Sequence, residues 1–281
     1  MSCPEGTICA FVVTFDFDAE EVWIAEDPAN ASRPCVLSQG LYGARVGVPL
    51  VLEMLDSLGV RATFFVPGRV AERHSARVRQ ILAAGHEMGL HGHTHRSPAD
   101  MGRDEEQKEL RLSLRTLRHL GADPVGYRSP SWDFSPCTLD LLQGAGLLYS
   151  SNYMDDVRPY RHPGRSIVEL PVHWSLDDAP HFWFDAASWD RSIATPSAVR
   201  EIWQAEFEGI RSLGGVCVLT LHPQICARPG RLAMVREFLQ SAVECSDVWV
   251  ASAREVAEHA DEVLPRNGEG GRGRGWPSRL E

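Results

Sequence analysis

The alternation of short apolar runs with amphipathic segments is the feature that most limits how this chain can fold. Eight runs read as strands: ICAFVVTF (8–15), ATFFV (62–66), EMGLH (87–91), VGYR (125–128), LLYSS (147–151), IVELPV (167–172), VCVLTLH (216–222) and VWVAS (248–252). Between them, apolar residues recur at helical spacing over 48–58, 76–85, 104–121, 135–146, 195–214 and 229–244, with a short segment from Ser252. Strands that are apolar almost throughout are buried on both faces, as in a parallel sheet covered by helices. Start and stop signals agree with this division. Ser135-Pro136 and Thr195-Pro196 each set an N-cap before a proline at the first helical position, and Ser252 to Glu255 has capping-box spacing. Gly59, Gly85, Gly121 and Gly214 stand where helices should stop. Seven or eight βα units in about 260 residues suit a distorted, TIM-like (β/α) barrel of one domain rather than an open sheet. The barrel is expected to span residues 1–264. Residues 265–281, rich in Gly and Arg without periodic apolar positions, read as a flexible tail.

Composition then removes several classes of partner. Lys and Arg number 28 against 38 Asp and Glu, a net charge of −10, whereas nucleic acid or an anionic membrane calls for a basic surface. The seven cysteines are odd in number and scattered, with no C-x-x-C, so reduced thiols are expected rather than a disulfide framework or a cysteine zinc site. The start MSCPEGTICAFVV has no basic region before its short apolar run, and no stretch is expected to approach the ~20 apolar residues needed to cross a bilayer. A cytoplasmic protein is the expectation.

In a (β/α) barrel, chemistry gathers at the C-terminal strand ends. The first run ends TFDFDAE, where Asp16 and Asp18 share one face of the strand while Phe15 and Phe17 take the other. Paired carboxylates at a strand end are tolerable if a cation lies between them or one keeps a proton. The third run ends in HGHTH, and His91 and His95, four apart, could share one face of a turn entering a helix. With a carboxylate from the first strand they would form a two-His, one-Asp site with open positions. The fourth run ends YRSPSWDF, bringing Arg128 and Trp132, and the seventh ends in His222. Singly, each has a plainer reading: a helix cap, a salt bridge, a core imidazole, or packing for Tyr42, Trp132 and Trp174. Together, at the ends of four strands, they argue for an active site.

These residues resemble the polysaccharide deacetylase family, also called the NodB homology domain. TFDFDAE is similar to its first motif, HGHTH to its second, RSPSW to its third and LTLH to its strand-end histidine motif, over about Val12 to Ala257. The resemblance implies a distorted seven- or eight-stranded barrel, a divalent metal such as Zn2+, and hydrolysis of a non-peptide C–N amide bond. On it, Asp18, His91 and His95 would hold the metal, Asp16 would be the general base, His222 the acid, and Arg128 would steady Asp16. Tyr42, Trp132 and Trp174 would contact substrate. His93, between the two ligands, would be structural. Phe17 separates two aspartates that are adjacent in the usual first motif, so the pair could exchange roles. No clear fourth motif occurs, its place being taken by residues 169–178. Such departures resemble an intracellular branch with peptidoglycan-deacetylase-like proteins, cyclic imide hydrolases and a metal-independent allantoinase, whose members are often homo-oligomers. A small cyclic imide or amide is the expected substrate. An N-acetyl amino sugar, a metal-free mechanism and a catalytically silent binding barrel are the alternatives. Residues 19–45, with Trp23, read as a long loop serving as a lid over the metal.

Overall fold

The computed structural model describes residues 3–4, 6–184 and 192–265. Among them, nine strands form one curled sheet: β1 (Cys9–Asp16), β2 (Thr63–Val66), β3 (Glu87–Leu90), β4 (Gly126–Tyr127), β5 (Tyr149–Ser150), β6 (Tyr160–Arg161), β7 (Val168–Glu169), β8 (Val216–Leu221) and β9 (Val248–Ala251). The order is β6-β7-β5-β4-β3-β2-β1-β8, with β9 also paired to β1. Every pairing is parallel except β6 with β7. The eight apolar runs all contain strands, and β6, two residues long, is the addition.

β1 is the hub. Ala10–Phe15 pair with β8, while on the other side Cys9–Val12 meet β9 and Thr14–Asp16 meet β2. The curl is completed by isolated contacts: a bridge between Asp177 and Thr220, and the amide of Val216 donating to the Val157 carbonyl at 2.8 Å. The result is a distorted (β/α) barrel of one domain, without a full ladder at its seam.

Twelve α-helices among the described residues surround it: α1 (Glu21–Glu26), α2 (Pro34–Tyr42), α3 (Val48–Leu58), α4 (Gly68–Arg73), α5 (Ser75–Ala83), α6 (Arg103–His119), α7 (Thr138–Gly144), α8 (Ala179–Phe182), α9 (Pro196–Leu213), α10 (Pro223–Cys226), α11 (Pro229–Val243) and α12 (Ala253–Val263). Thr195 accepts from the Ala198 amide, and the Ser252–Glu255 capping box is formed in both directions. α7 starts later than its Ser-Pro signal predicts. The Ser135 hydroxyl donates to the buried Glu106 carboxylate, 2.5 Å away, and accepts from the Cys137 amide at 3.1 Å, so it closes a turn ahead of the helix, whose own cap position is Cys137.

The period-two alternation of β1 sorts the core into two. Cys9, Phe11, Val13, Phe15 and Phe17 face the helices, where Phe15 stacks on Phe64 at 4.9 Å. Ala10 and Val12 face the barrel interior with Phe65, Tyr149, Val168 and Val218, and Val256, Ala257 and Ala260 of α12 join that cluster. The inward series continues through Thr14 to Asp16 and Asp18, so its chemistry changes from apolar to acidic toward the C-terminal rim.

Residues 19–45 are helical rather than a loop. Asp27 accepts from the Ala29 amide to start a 3₁₀ turn, Pro34 opens α2, and a π turn over Gly43–Gly47 runs into α3. Contrary to the sequence reading, the span Pro34–Leu58 is long and apolar enough to cross a membrane by length and composition. Here Ala44, Val48, Val51, Met54 and Leu55 are buried in the core, while Arg45, Glu53 and Asp56 are exposed. All seven cysteines are free thiols. Of the expected tail only Pro265 is among the described residues.

Candidate active site

The rim residues converge. Asp18 is fully buried, and its Oδ1 lies 3.4 Å from His91 Nε2 and 3.5 Å from His95 Nε2. That oxygen has no hydrogen-bond partner among the described residues. A buried carboxylate oxygen left unpaired between two imidazole nitrogens is costly unless a cation shares it. His91 Nδ1 is 2.8 Å from the Arg128 carbonyl, which can only accept. Nδ1 therefore carries the proton, and Nε2 turns its lone pair toward Asp18. Burial holds the His91 imidazole below its usual range. Burial also opposes ionisation of Asp18, but the surrounding imidazoles, His95 foremost, outweigh it and keep the carboxyl well below the usual carboxylate range. An anionic carboxylate beside a neutral imidazole is the charge state that suits a metal ligand set, and the donor set fits a divalent ion. Atoms of Asp18, His91 and His95 lie within 4.8 Å of one another.

The two histidines meet differently from the predicted turn into a helix. Gly92 (φ 67°) and His95 (φ 54°) both adopt left-handed backbone, curling the loop so that their rings stand 5.0 Å apart. His93 points away from them. Its ring fills the space over Gly68, where a Cβ would fall 2.1 Å from Nδ1. It packs the loop onto α4, as the structural reading expects.

Asp16 lies beside this group with one oxygen 4.0 Å from His91 Nε2. Its other oxygen accepts from Arg128 at 2.8 Å. Arg128 is wholly buried and also donates to the Thr14 hydroxyl at 2.7 Å and the Ser151 hydroxyl at 3.0 Å. Its guanidinium rests on the Phe65 ring, 4.3 Å from the centroid. The arginine thus forms the floor between apolar interior and acidic rim, with its charge satisfied by ion pair and hydrogen bonds.

His222 faces the centre from β8, Nε2 being 3.7 Å from Asp18 Oδ2. Its Nδ1 donates to Asp178 at 2.6 Å, and its backbone amide donates to the other Asp178 oxygen at 3.0 Å. Burial would depress this imidazole, but Asp178 and Asp177 together raise it well above its ordinary range. Burial pushes Asp177 up to about 7, against the pull of His222. The sequence reading names residues 169–178 as filling the place of a missing motif without giving Asp178 a role. Its signal, an Asp pair between two strands, becomes legible only once the seam brings it to Thr220.

A cavity of about 500 Å³ opens over these groups. Trp132 and Trp174, 4.5 Å apart, line one side, and Trp183 lines another, stacked at 4.8 Å on Trp23. Ser131 (φ 59°) and Trp132 (φ 51°) hold left-handed backbone, a conformation that costs of order 1–3 kcal/mol per residue and is concentrated at functional sites. Trp183 is missing from the sequence-based set, since a lone tryptophan carries no sign of what it faces. Tyr42 is a correction. It does not line the cavity: its hydroxyl donates to the Ala227 carbonyl at 2.8 Å and Arg228 sits 3.7 Å above its ring. It fastens α2 to the chain beyond α10. In place of a loop lid, α1 forms a cavity wall through Val22, Ala25 and Glu26. That wall is tied down by Glu20 to His74 at 2.8 Å and Glu21 to Arg73 at 2.6 Å.

Fold and rim together define a class, the α/β-barrel hydrolases of C–N bonds other than peptide bonds. Within it, the chain belongs to the polysaccharide deacetylase family. Residues 42–150 match the family profile described as polysaccharide deacetylase. A peptidoglycan deacetylase of Helicobacter pylori is 30% identical over 90% of this chain and 95% of its own. A Mycobacterium smegmatis structure assigned to the polysaccharide deacetylases is 42% identical, with a TM-score of 0.89 over 96% of this chain and 97% of that one. The Puue allantoinase structure, 22% identical, shares the fold at a TM-score of 0.79 over 94% of each chain.

Proposed function

We propose that this protein is a divalent-metal-dependent amidohydrolase, using Zn2+ or a similar ion, which cleaves a small N-acyl or cyclic amide. The observation that carries the reading is the unpaired, buried Asp18 Oδ1 set between the Nε2 atoms of His91 and His95. Asp18, His91 and His95 would hold the ion, which when bound polarises an amide carbonyl and lowers the pKa of water toward 7. Asp16, oriented by Arg128, takes the proton of the attacking water. His222, kept protonated by Asp178 and Asp177, returns a proton to the departing nitrogen through Nε2. Trp132, Trp174 and Trp183 confine the substrate beside these groups. A cavity of this size, walled by α1, suits a compact ligand.

A second reading, an N-acetyl amino sugar, is supported by the flat tryptophan faces and by the relative described as a peptidoglycan deacetylase. The test compares ring opening of succinimide- and hydantoin-type compounds with acetate release from N-acetylglucosamine oligomers, with metal added and after chelation. Turnover should require metal and be lost in Asp16→Asn. Activity that persists through prolonged chelation would instead support a metal-free mechanism, and no reaction with either class would sink both substrate readings.

A further inference from the structure

Gln224 follows Pro223 in α10, two residues beyond His222, and is 4% exposed. Its Nε2 is 3.4 Å from Asp18 Oδ2, while its Oε1 is buried with no hydrogen-bond partner among the described residues. Turning the amide over would set oxygen against carboxylate oxygen, so charge imposes the nitrogen-first orientation. An unpaired buried carbonyl oxygen detracts from stability, and packing alone would favour an apolar side chain here. The two oxygens of Asp18 have separate neighbours. Oδ1 faces His91 and His95, and Oδ2 faces Gln224 and His222.

We infer that Gln224 is a positioning residue of the metal site. By donating to Oδ2 it holds the Asp18 carboxylate in place, so that Oδ1 stays turned toward His91 and His95, where the three residues would hold the ion. This rests on the metal reading above. The π turn Gly43–Gly47 supports the placement, because it lies directly against α10. A Cβ on Gly43 would come within 3.0 Å of the Gln224 backbone nitrogen and 3.1 Å of its side-chain Oε1, and one on Gly47 within 2.3 Å of the Pro223 carbonyl oxygen. Single π turns inside helices recur at functional sites, and this one lets the backbone carrying His222 and Gln224 approach.

The experiment titrates metal-free wild type, Gln224→Met and Asp18→Ala with Zn2+ against a chromogenic chelator, and records melting of each without metal. Gln224→Met should melt at or above the wild-type temperature when metal-free, since it removes an orphaned oxygen. It should bind Zn2+ about 10–100-fold more weakly, the usual effect of losing a hydrogen bond to a ligating group. Unchanged affinity, whatever the melting temperature, overturns the inference and leaves the metal site standing. A wild type that binds no ion, or an Asp18→Ala that binds as tightly, overturns the metal reading and the inference with it. Should the methionine variant not melt cooperatively, Gln224→Leu, which has a shorter side chain, is titrated under the same criteria.

Discussion

Replacing Arg128 by Met tests whether the floor of the site is held by charge. The guanidinium is fully buried and serves Asp16, Thr14 and Ser151 within 3.0 Å. Methionine has similar length but leaves the charge of Asp16, itself 3% exposed, without its cationic partner, since the nearby His91 imidazole, Nε2 at 4.0 Å, is neutral. Breaking one side of a buried ion pair costs about 3–5 kcal/mol, because the surviving charge is uncompensated. At roughly 2–4 °C per kcal/mol for a large domain, melting should fall by about 6–20 °C. The assay is thermal unfolding followed by circular dichroism in chelator, so that metal binding does not contribute. Arg128→Met combined with Asp16→Asn removes the orphan charge and should recover a good part of the loss. Arg128→Lys should fall between, since a point charge cannot span three acceptors. A loss under about 1 kcal/mol in the single variant, well below the range for a broken buried pair, would refute the reasoning. So would a double variant no more stable than the single one.

The remaining predictions concern the walls and the thiols. Tyr42→Phe should cost about 1 kcal/mol, the typical worth of one hydrogen bond, and leave KM unchanged. Trp174→Ala, at a position 43% exposed beside the cavity, should raise KM with little effect on melting. An increase in KM for the tyrosine variant would restore it to the substrate site. Alkylation of the native protein at pH 8, mapped by mass spectrometry, should label exposed Cys35 first. Cys3 and Cys9 should stay unmodified while the fold persists, because burial pushes their thiols up to about 11 and about 12. These raised values add stability that is present below about pH 9. It is lost as pH rises through 9 toward 12, where unfolded thiols ionise and folded ones do not. Early labelling of Cys9 would mean that the sheet opens locally at β1.

Eight strands and most long helices were legible in the sequence because their signals are local: apolar runs, caps and terminating glycines lie within a few residues of the structure they specify. The same holds for the two faces of β1, since alternation alone sends Phe15 and Phe17 one way and Asp16 and Asp18 the other. The helices of residues 21–42 were missed because they are short, and proline and aspartate there read equally well as loop. Asp178 and Gln224 were missed for a different reason. Gln224 carries no pattern and the Asp177-Asp178 pair none that names its partner, and the two residues acquire their partners across 206 and 44 residues of chain respectively. Tyr42 was misplaced on the same account, as an aromatic residue gives no sign of which side of a helix its neighbours occupy. Chain-local physics therefore determined which residues became strand ends and which reactive groups stood there. Only the closing of the barrel decided which of those groups share a carboxylate, which are held by a second acid, and which merely hold the walls together, because those contacts depend on distances that no local rule encodes.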